Sequence, residues 1–251
     1  MQLGTNSVDS FKLGSTAVDR VYLGSTLAWE LSAGRTAVTV TAQGNAQIST
    51  AQSKFGGASA VFDNDGDYLT TNNNIGDLIG DSDYTAECWY RTNTSETYDK
   101  ILDNRRNTFG NYGWSLYHTA SNIFFSYRGT GSVTNAVITY AVSLTANVWY
   151  HLAVVKQANT LTLYLDGLAV GSVSIANTTY EDSGEQLWIG AGHELSNYVN
   201  GYIDEVRISN TARYTANFTP AATPFVNDAN TLMLLHMDGT NGSTTFTDDN
   251  S

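Results

Sequence analysis

Cross-linking and chain-kinking residues are nearly missing from this chain. One of its 251 residues is cysteine, Cys88, so no intrachain disulfide can form. Two are proline, Pro220 and Pro224, which excludes a Pro-rich disordered chain. Charged residues make up 14%, well under the usual ~25%. Only 12 Lys and Arg stand against 24 Asp and Glu, a formal net charge of −12. With no basic stripe, a phosphate backbone or an acidic lipid surface would be repelled, so neither nucleic acid nor membrane is an expected partner. No apolar run approaches the ~18 residues of a membrane span. The opening "MQLGTNSVDSFK" has no apolar h-region, so no signal peptide is expected. No helical stripe is present either.

What is present is β signal throughout. The first thirty residues repeat every ten: "LGTNSVDSFK", "LGSTAVDRVY", "LGSTLAWELS". The period fits one short strand plus a Gly-containing turn. Alternation puts Phe11 with Leu13, and Val21 with Leu23, on one face. So short a segment makes no core of its own. It either packs on its own chain as an arm, or anchors the protein to another subunit or another protein. The expected division is an arm at 1–31 and a domain at 32–251.

From residue 36 onward, short β-branched and aromatic runs alternate with Gly, Asn, Asp and Ser. "NTLTLYLDG" sets Leu161, Leu163 and Leu165 on one face, Thr162 and Tyr164 on the other. Many such strands predict an all-β fold, a two-sheet antiparallel β-sandwich. Cys88, in the strand-like "TAECWYRT", reads as a small apolar core residue.

Five phrases carry a resemblance: "KFGGASAVFDNDGDYLT", "DYTAECWYRT", "VWYHLAVVKQANTLTLYLDGLAVGS", "LWIGAG" and "GYIDEVRISNTARYTANFTP". In order and approximate spacing they resemble the laminin-G-like, concanavalin A-like lectin/glucanase domain over roughly residues 36–220. That resemblance implies a jelly-roll sandwich. The "LGST" decamers, "ARYTANFTP" and "LLHMDGTNGSTTFTDDNS" look like virion structural proteins of tailed bacteriophages.

In such domains a strand like "TLMLLHMDG" comes first; here it lies at residues 231–239. Segment 231–247 is therefore expected to fill the place of the first strand, beside "GYIDEVRIS", in a permuted or strand-swapped topology. Both faces of "TLMLLHM" are mostly apolar, as for a strand covered on both sides.

"DNDGD" (63–67) has the carboxylate alternation of a calcium loop, but an EF-hand needs Glu at the twelfth position, which is Asn74. The resemblance implies a single rim calcium. Its expected ligands are Asp67, Asp204 and Asp238; otherwise these aspartates cap turns.

The resemblance also implies glucanases, yet the pattern Glu-x-Asp-x-x-Glu is absent. Asp204 and Glu205 are adjacent and, on a regular strand, point to opposite faces; Glu87 stands alone. No catalytic residue is assigned, and the chain is read as non-enzymatic. The four histidines show no metal-ligand spacing.

Two stretches read as rim loops, where such folds keep ligand sites: "DNRRNTFGNYGWSLYH" and "GAGHELSNYVNG". Arg105, Asn111, Tyr112, Trp114, His193 and Tyr198 are the candidate glycan contacts; ordinary surface loops or protein–protein contacts are the alternative. The expected role is a virion-surface protein, a tail fibre, head fibre or capsid decoration, made in the host cytoplasm. The arm would attach it to capsid or tail, a symmetric oligomer such as a trimer is expected, and the sandwich would display a lectin-like surface to host polysaccharide. A decoration protein without glycan binding is the alternative, and a glycan hydrolase the third.

Overall fold

A computed structural model describes residues 38–72, 75, 82–95, 98–105, 113–131, 135–175, 178–179 and 185–250, together with the backbone pairing of short strands within 11–30. The chain divides into two units, residues 1–37 and 38–250.

In the first unit, β1 (Phe11–Leu13) pairs with β2 (Thr16–Val18), and β3 (Arg20–Leu23) with β4 (Thr26–Glu30), both antiparallel. The expectation of one strand per ten residues needs correcting: among the described residues, the stretches 11–18 and 20–30 each hold two strands paired as a hairpin. Leu13 pairs with Thr16, and Leu23 with Thr26; the sequence between them is Gly-Ser each time. A two-residue link led by Gly favours tight hairpin closure over a strand that runs on.

The second unit is an all-β sandwich. Its strands begin with β5 (Val40–Gln43), β6 (Gln47–Ser49), β7 (Ser59–Asp63), β8 (Tyr68–Thr71) and β9 (Tyr84–Thr92). There follow β10 (Asp99–Asp103), β11 (Gly113–Thr119), β12 (Asn122–Arg128), β13 (Thr130–Gly131) and β14 (Asn135–Ala141). Then come β15 (Tyr150–Gln157), β16 (Thr160–Leu165), β17 (Leu168–Ser174), β18 (Thr178–Thr179), β19 (Trp188–Ile189), β20 (Asn200–Ser209) and β21 (Thr231–Leu235). One sheet has seven strands in the order β14-β12-β11-β10-β19-β8-β5. The other runs β17-β16-β15-β9-β20-β7-β6, with β21 also on β20. A two-residue ladder joins β13 to β18.

The core lies between the sheets, and alternation decides which side chains enter it. Trp114, Leu116, Ile123, Phe125 and Tyr127 from β11 and β12 meet Tyr84, Ala86, Cys88 and Tyr90 from β9. β9 is buried along its whole length, because its other face is covered by residues 210–226. There the isolated-looking Glu87 is a hub. It accepts hydrogen bonds from Arg207 Nε at 2.8 Å and the Tyr214 hydroxyl at 2.7 Å, and lies 3.1 Å from His151 Nε2. Burial alone would raise its pKa; His151, Arg207 and Tyr214 outweigh that and hold it low. Tyr214 and Phe218 stack at 3.5 Å beside Tyr164. One outer face of the sandwich is thus roofed by the chain itself.

The C-terminal strand closes the fold within the same chain. Val206, Arg207 and Ile208 of β20 pair antiparallel with Leu235, Leu234 and Met233 of β21. The first half of β20, Asn200–Ile203, pairs instead with β7. One sheet position is therefore filled by two strands in succession. Beyond β21, Met237 and Phe246 enter the core, and Gly242 and Ser243 exchange backbone hydrogen bonds with Ile48. Gly56 marks how closely the segments approach: its φ is +63°, and a Cβ there would lie 1.9 Å from the Asp238 carboxylate.

Thr231, Met233, Leu234 and Leu235 are fully buried, so removal of residues 231–251 is expected to leave no soluble folded protein. A truncated chain with an unchanged melting temperature would contradict this. Leu235→Ala should lower unfolding free energy by about 2–5 kcal/mol in a urea titration.

Candidate functional site

The outer face of the seven-stranded sheet is closed at its centre, where Lys100, Asp103 and Ser115 are buried, and among the described residues it opens to solvent at Tyr98. Since Trp114 and Leu116 point inward, Ser115 and Tyr117 point outward, joined across the register by Phe124 and Ser126 of β12. Lys100 and Asp103 of β10, Trp188 of β19 and Tyr68 of β8 lie on this same face by their pairing.

Two aromatic groups result. On one side Tyr117 stacks on Phe124 at 4.8 Å, with Tyr98 5.4 Å from Tyr117. Tyr98 is 45% exposed, so this group is open to solvent. On the other side Tyr68 stacks on Trp188 at 4.6 Å, and Tyr198 lies 6.4 Å from Tyr68. All but Tyr98 are half-buried.

An ionic cluster lies between them. Lys100 Nζ is 3.3 Å from Asp103 Oδ2 and 4.8 Å above the Tyr117 ring, and Arg105 Nη2 is 3.0 Å from the same oxygen. His193 and Glu194 come from the 190–199 loop, which is pinned to β10 by Gly190 N–H to Ile101 O and Lys100 N–H to Asn197 O. Gly190 is a close-approach glycine: a Cβ would lie 2.5 Å from the Phe62 ring. Glu194 Oε2 is 3.2 Å from His193 Nδ1. Burial opposes the charge on Asp103, but His193, Arg105 and Lys100 hold its pKa down to about 2. Contact with His193 first, against burial, keeps Glu194 at about 2. Burial would lower His193, and the two carboxylates override it, raising it to about 9. Burial depresses Lys100 despite Asp103.

Of the expected glycan contacts, Arg105, His193 and Tyr198 are brought to this face. Trp114 is corrected: it is 1% exposed and packs inward on Tyr84 and Phe125, because it has inward parity on β11. Asn111 and Tyr112 lie outside the described residues. Tyr98, Tyr117, Phe124, Tyr68 and Trp188 were missed. Alternation in "GWSLYHT" and "NIFFSYR" carried the signal for Tyr117 and Phe124, the aromatic residues that share a face with Ser115 and Ser126.

Among the described residues, the three aspartates expected to hold calcium do not form a trio of ligand atoms within 4.8 Å of one another, although Asp238 acts electrostatically on Asp204. Asp67 spends both oxygens on the backbone N–H groups of Asn45 and Asp63. Asp204 accepts from the N–H groups of Lys54, Phe55 and Glu205. Among the described residues, the trio with ligand atoms mutually within 4.8 Å is another one, Asp103, His193 and Glu194.

Asp204 and Glu205 depart from the regular strand geometry expected of them. A register shift separates Asp204 from Arg207, and Glu205 has φ +53°. The bulge turns both carboxylates into the layer of Phe55 and Phe225: Asp204 takes the Phe55 N–H, Glu205 the Phe225 N–H at 2.8 Å and His236 Nδ1 at 2.8 Å. Burial first, then the charges of Glu205 and Asp238, raise Asp204 to about 7 against the hydrogen bonds from Lys54 and Phe55.

A model of the concanavalin A-like lectin/glucanases superfamily, of laminin-G type, matches residues 63–217. The chain belongs to this superfamily. No curated protein matches this superfamily member. Among solved structures, it is similar to the binding domain of Paraclostridial Mosquitocidal Protein 1, at 15% identity and TM-score 0.52, over 70% of this chain and 45% of that one. It is also similar to the receptor binding domain of botulinum neurotoxin C/D mosaic serotype, at 18% identity and TM-score 0.53, over 72% and 45%. The chain thus spans less than half the length of each, and these likenesses show the fold.

Because Asp204 holds its proton more tightly folded than unfolded, its contribution is full below its ordinary pKa near ~4 and is lost as pH rises through about 7. His118, lowered by burial to about 4, acts with the opposite sign between pH ~6.5 and 4. The wild-type minus Asp204→Asn difference in urea midpoint should therefore fall from pH 5 to pH 8. A difference that is flat with pH would contradict the assignment.

Proposed function

We propose that the sandwich is a non-catalytic, lectin-like module that binds a host-surface glycan on the open face of the seven-stranded sheet. The observation that carries this reading is the pair of aromatic groups, Tyr98/Tyr117/Phe124 and Tyr68/Trp188/Tyr198, flanking a charged cluster whose accessible members are Arg105 and Glu194. Sugar rings present C–H faces that stack on aromatic rings, while their hydroxyls need donors and acceptors between those platforms. Superfamily membership and the similarity to toxin binding domains support a binding role by analogy of fold alone.

The setting is a tailed-bacteriophage virion. Its support is the resemblance of the decamers and of the two C-terminal phrases to virion structural proteins. Two short hairpins cannot bury a core between them, so the N-terminal unit is proposed to seat on capsid or tail protein in a symmetric assembly of like subunits such as a trimer. That same need favours the second reading, a decoration protein that binds virion partners and no glycan.

An array of bacterial surface polysaccharides probed with the full chain separates the two. Retention on at least one polysaccharide is expected, with no release of reducing ends. Tyr117→Ala and Tyr98→Ala should each weaken it by at least about tenfold. No retention on any polysaccharide, or undiminished retention by both variants, would leave the decoration reading.

A further inference from the structure

The ionic cluster on the open face contains donor atoms that its ion pairs do not use up. Asp103 Oδ2 faces Lys100 and Arg105, at 3.3 and 3.0 Å; Glu194 Oε1 faces the same two cations, at 3.8 and 3.3 Å. The other oxygens turn toward His193: Asp103 Oδ1 is 3.8 Å and Glu194 Oε2 3.2 Å from its Nδ1. Asp103 Oδ1 also accepts the Arg105 backbone N–H at 2.8 Å and lies 3.4 Å from Arg105 Nε, and a carboxylate oxygen has a second lone pair to offer.

The His193 side chain is only 9% exposed. Its Nδ1 meets neither carboxylate in hydrogen-bond geometry, and its Nε2 has no hydrogen-bond partner, although both atoms are buried. Buried ring nitrogens of a histidine normally find partners. A proton on Nδ1 points along one line and can satisfy one oxygen. A metal ion accepts lone pairs from several directions at once. One ligand atom from each of the three residues already falls within 4.8 Å of the other two, and atoms sharing a tetrahedral ion at ~2.0–2.2 Å need to draw together only a little further.

We propose that Asp103, His193 and Glu194 bind a divalent transition-metal ion of the zinc type, through Oδ1, Nδ1 and Oε2. The imidazole decides the class. Calcium and magnesium take all-oxygen shells, whereas one nitrogen with two carboxylates suits zinc and its neighbours. Lys100 and Arg105 are the cations that oppose such an ion. Arg105 Nη2 also lies 3.5 Å from Glu194 Oε2, so its side chain, 23% exposed, would turn toward water as the ion enters. The ion would tie the 190–199 loop to the end of β10; it shares its residues with the proposed glycan face, but its test reads metal uptake alone, so either reading can fail without the other.

The full chain, stripped with chelator and titrated calorimetrically with zinc chloride, should take up one ion per chain. Saturating zinc should raise the melting temperature by at least about 3 °C, and equimolar calcium chloride should not. His193→Ala and Glu194→Gln should each weaken uptake by at least about tenfold. His236→Ala, at the separate pair with Glu205, should leave it unchanged. A zinc-edge absorption spectrum of the wild-type chain, which depends on no variant folding, should show one imidazole nitrogen among oxygen ligands. The proposal is overturned by no uptake at micromolar protein, by uptake that survives His193→Ala or is lost in His236→Ala, or by a zinc shell without imidazole.

Discussion

The sandwich depends on one shared strand position. β20 runs through the middle of its sheet and needs a neighbour along its whole length. β7 serves residues 200–203 and β21 serves 206–208. Between the two partners the ladder must skip, and Glu205 takes a left-handed φ of +53° to allow it. A non-glycine residue in that region costs of order 1–3 kcal/mol and persists only where its surroundings over-determine it. Here they do: the Glu205 carboxylate is fixed by Phe225 and His236, and its neighbour Asp204 by three backbone N–H groups. The seam where two strands meet is also where acids crowd together.

The two outer faces are treated differently by the chain, and that difference positions the candidate site. Over β9 and β15 the protein supplies its own cover, residues 210–226, held by a fully buried glutamate that contacts an arginine, a histidine and a tyrosine. Removing one partner from such a hub would strand a charge without water, which is far costlier than the net value of the intact set. The opposite face has loops at its margins and half-buried rings across its middle. Of these rings only Tyr98 is exposed.

Much of this was legible in the residues. Period-two alternation located the strands, and apolar side chains on both faces of "TLMLLHM" marked a strand buried from two sides. The superfamily was legible in five ordered phrases. Trp114 was misread because its neighbours are glycines and asparagines, which suggested a loop; its parity on β11 sends it inward. The partners of Glu87 are 64, 120 and 127 positions away along the chain, and no local pattern announces them. The Asp204–Glu205 bulge was hidden for a related reason: adjacent residues on a strand point apart unless a second strand end forces a kink, and that strand end lies some thirty residues later. The decamers looked like single strands because a period gives the repeat length but not the number of folds inside it.

The late arrival of β21 has a consequence for synthesis. While the ribosome is still adding residues beyond Ser209, the second half of β20 has one open flank, and Ile48 lacks the backbone partners that Gly242 and Ser243 later provide. A nascent chain in that state exposes a sheet edge of the kind that recruits other polypeptides. Closure has to wait for a contact between positions 50 and 241, among the longest loops the chain can draw shut, so this flank stays open until residues 231–243 have left the ribosome.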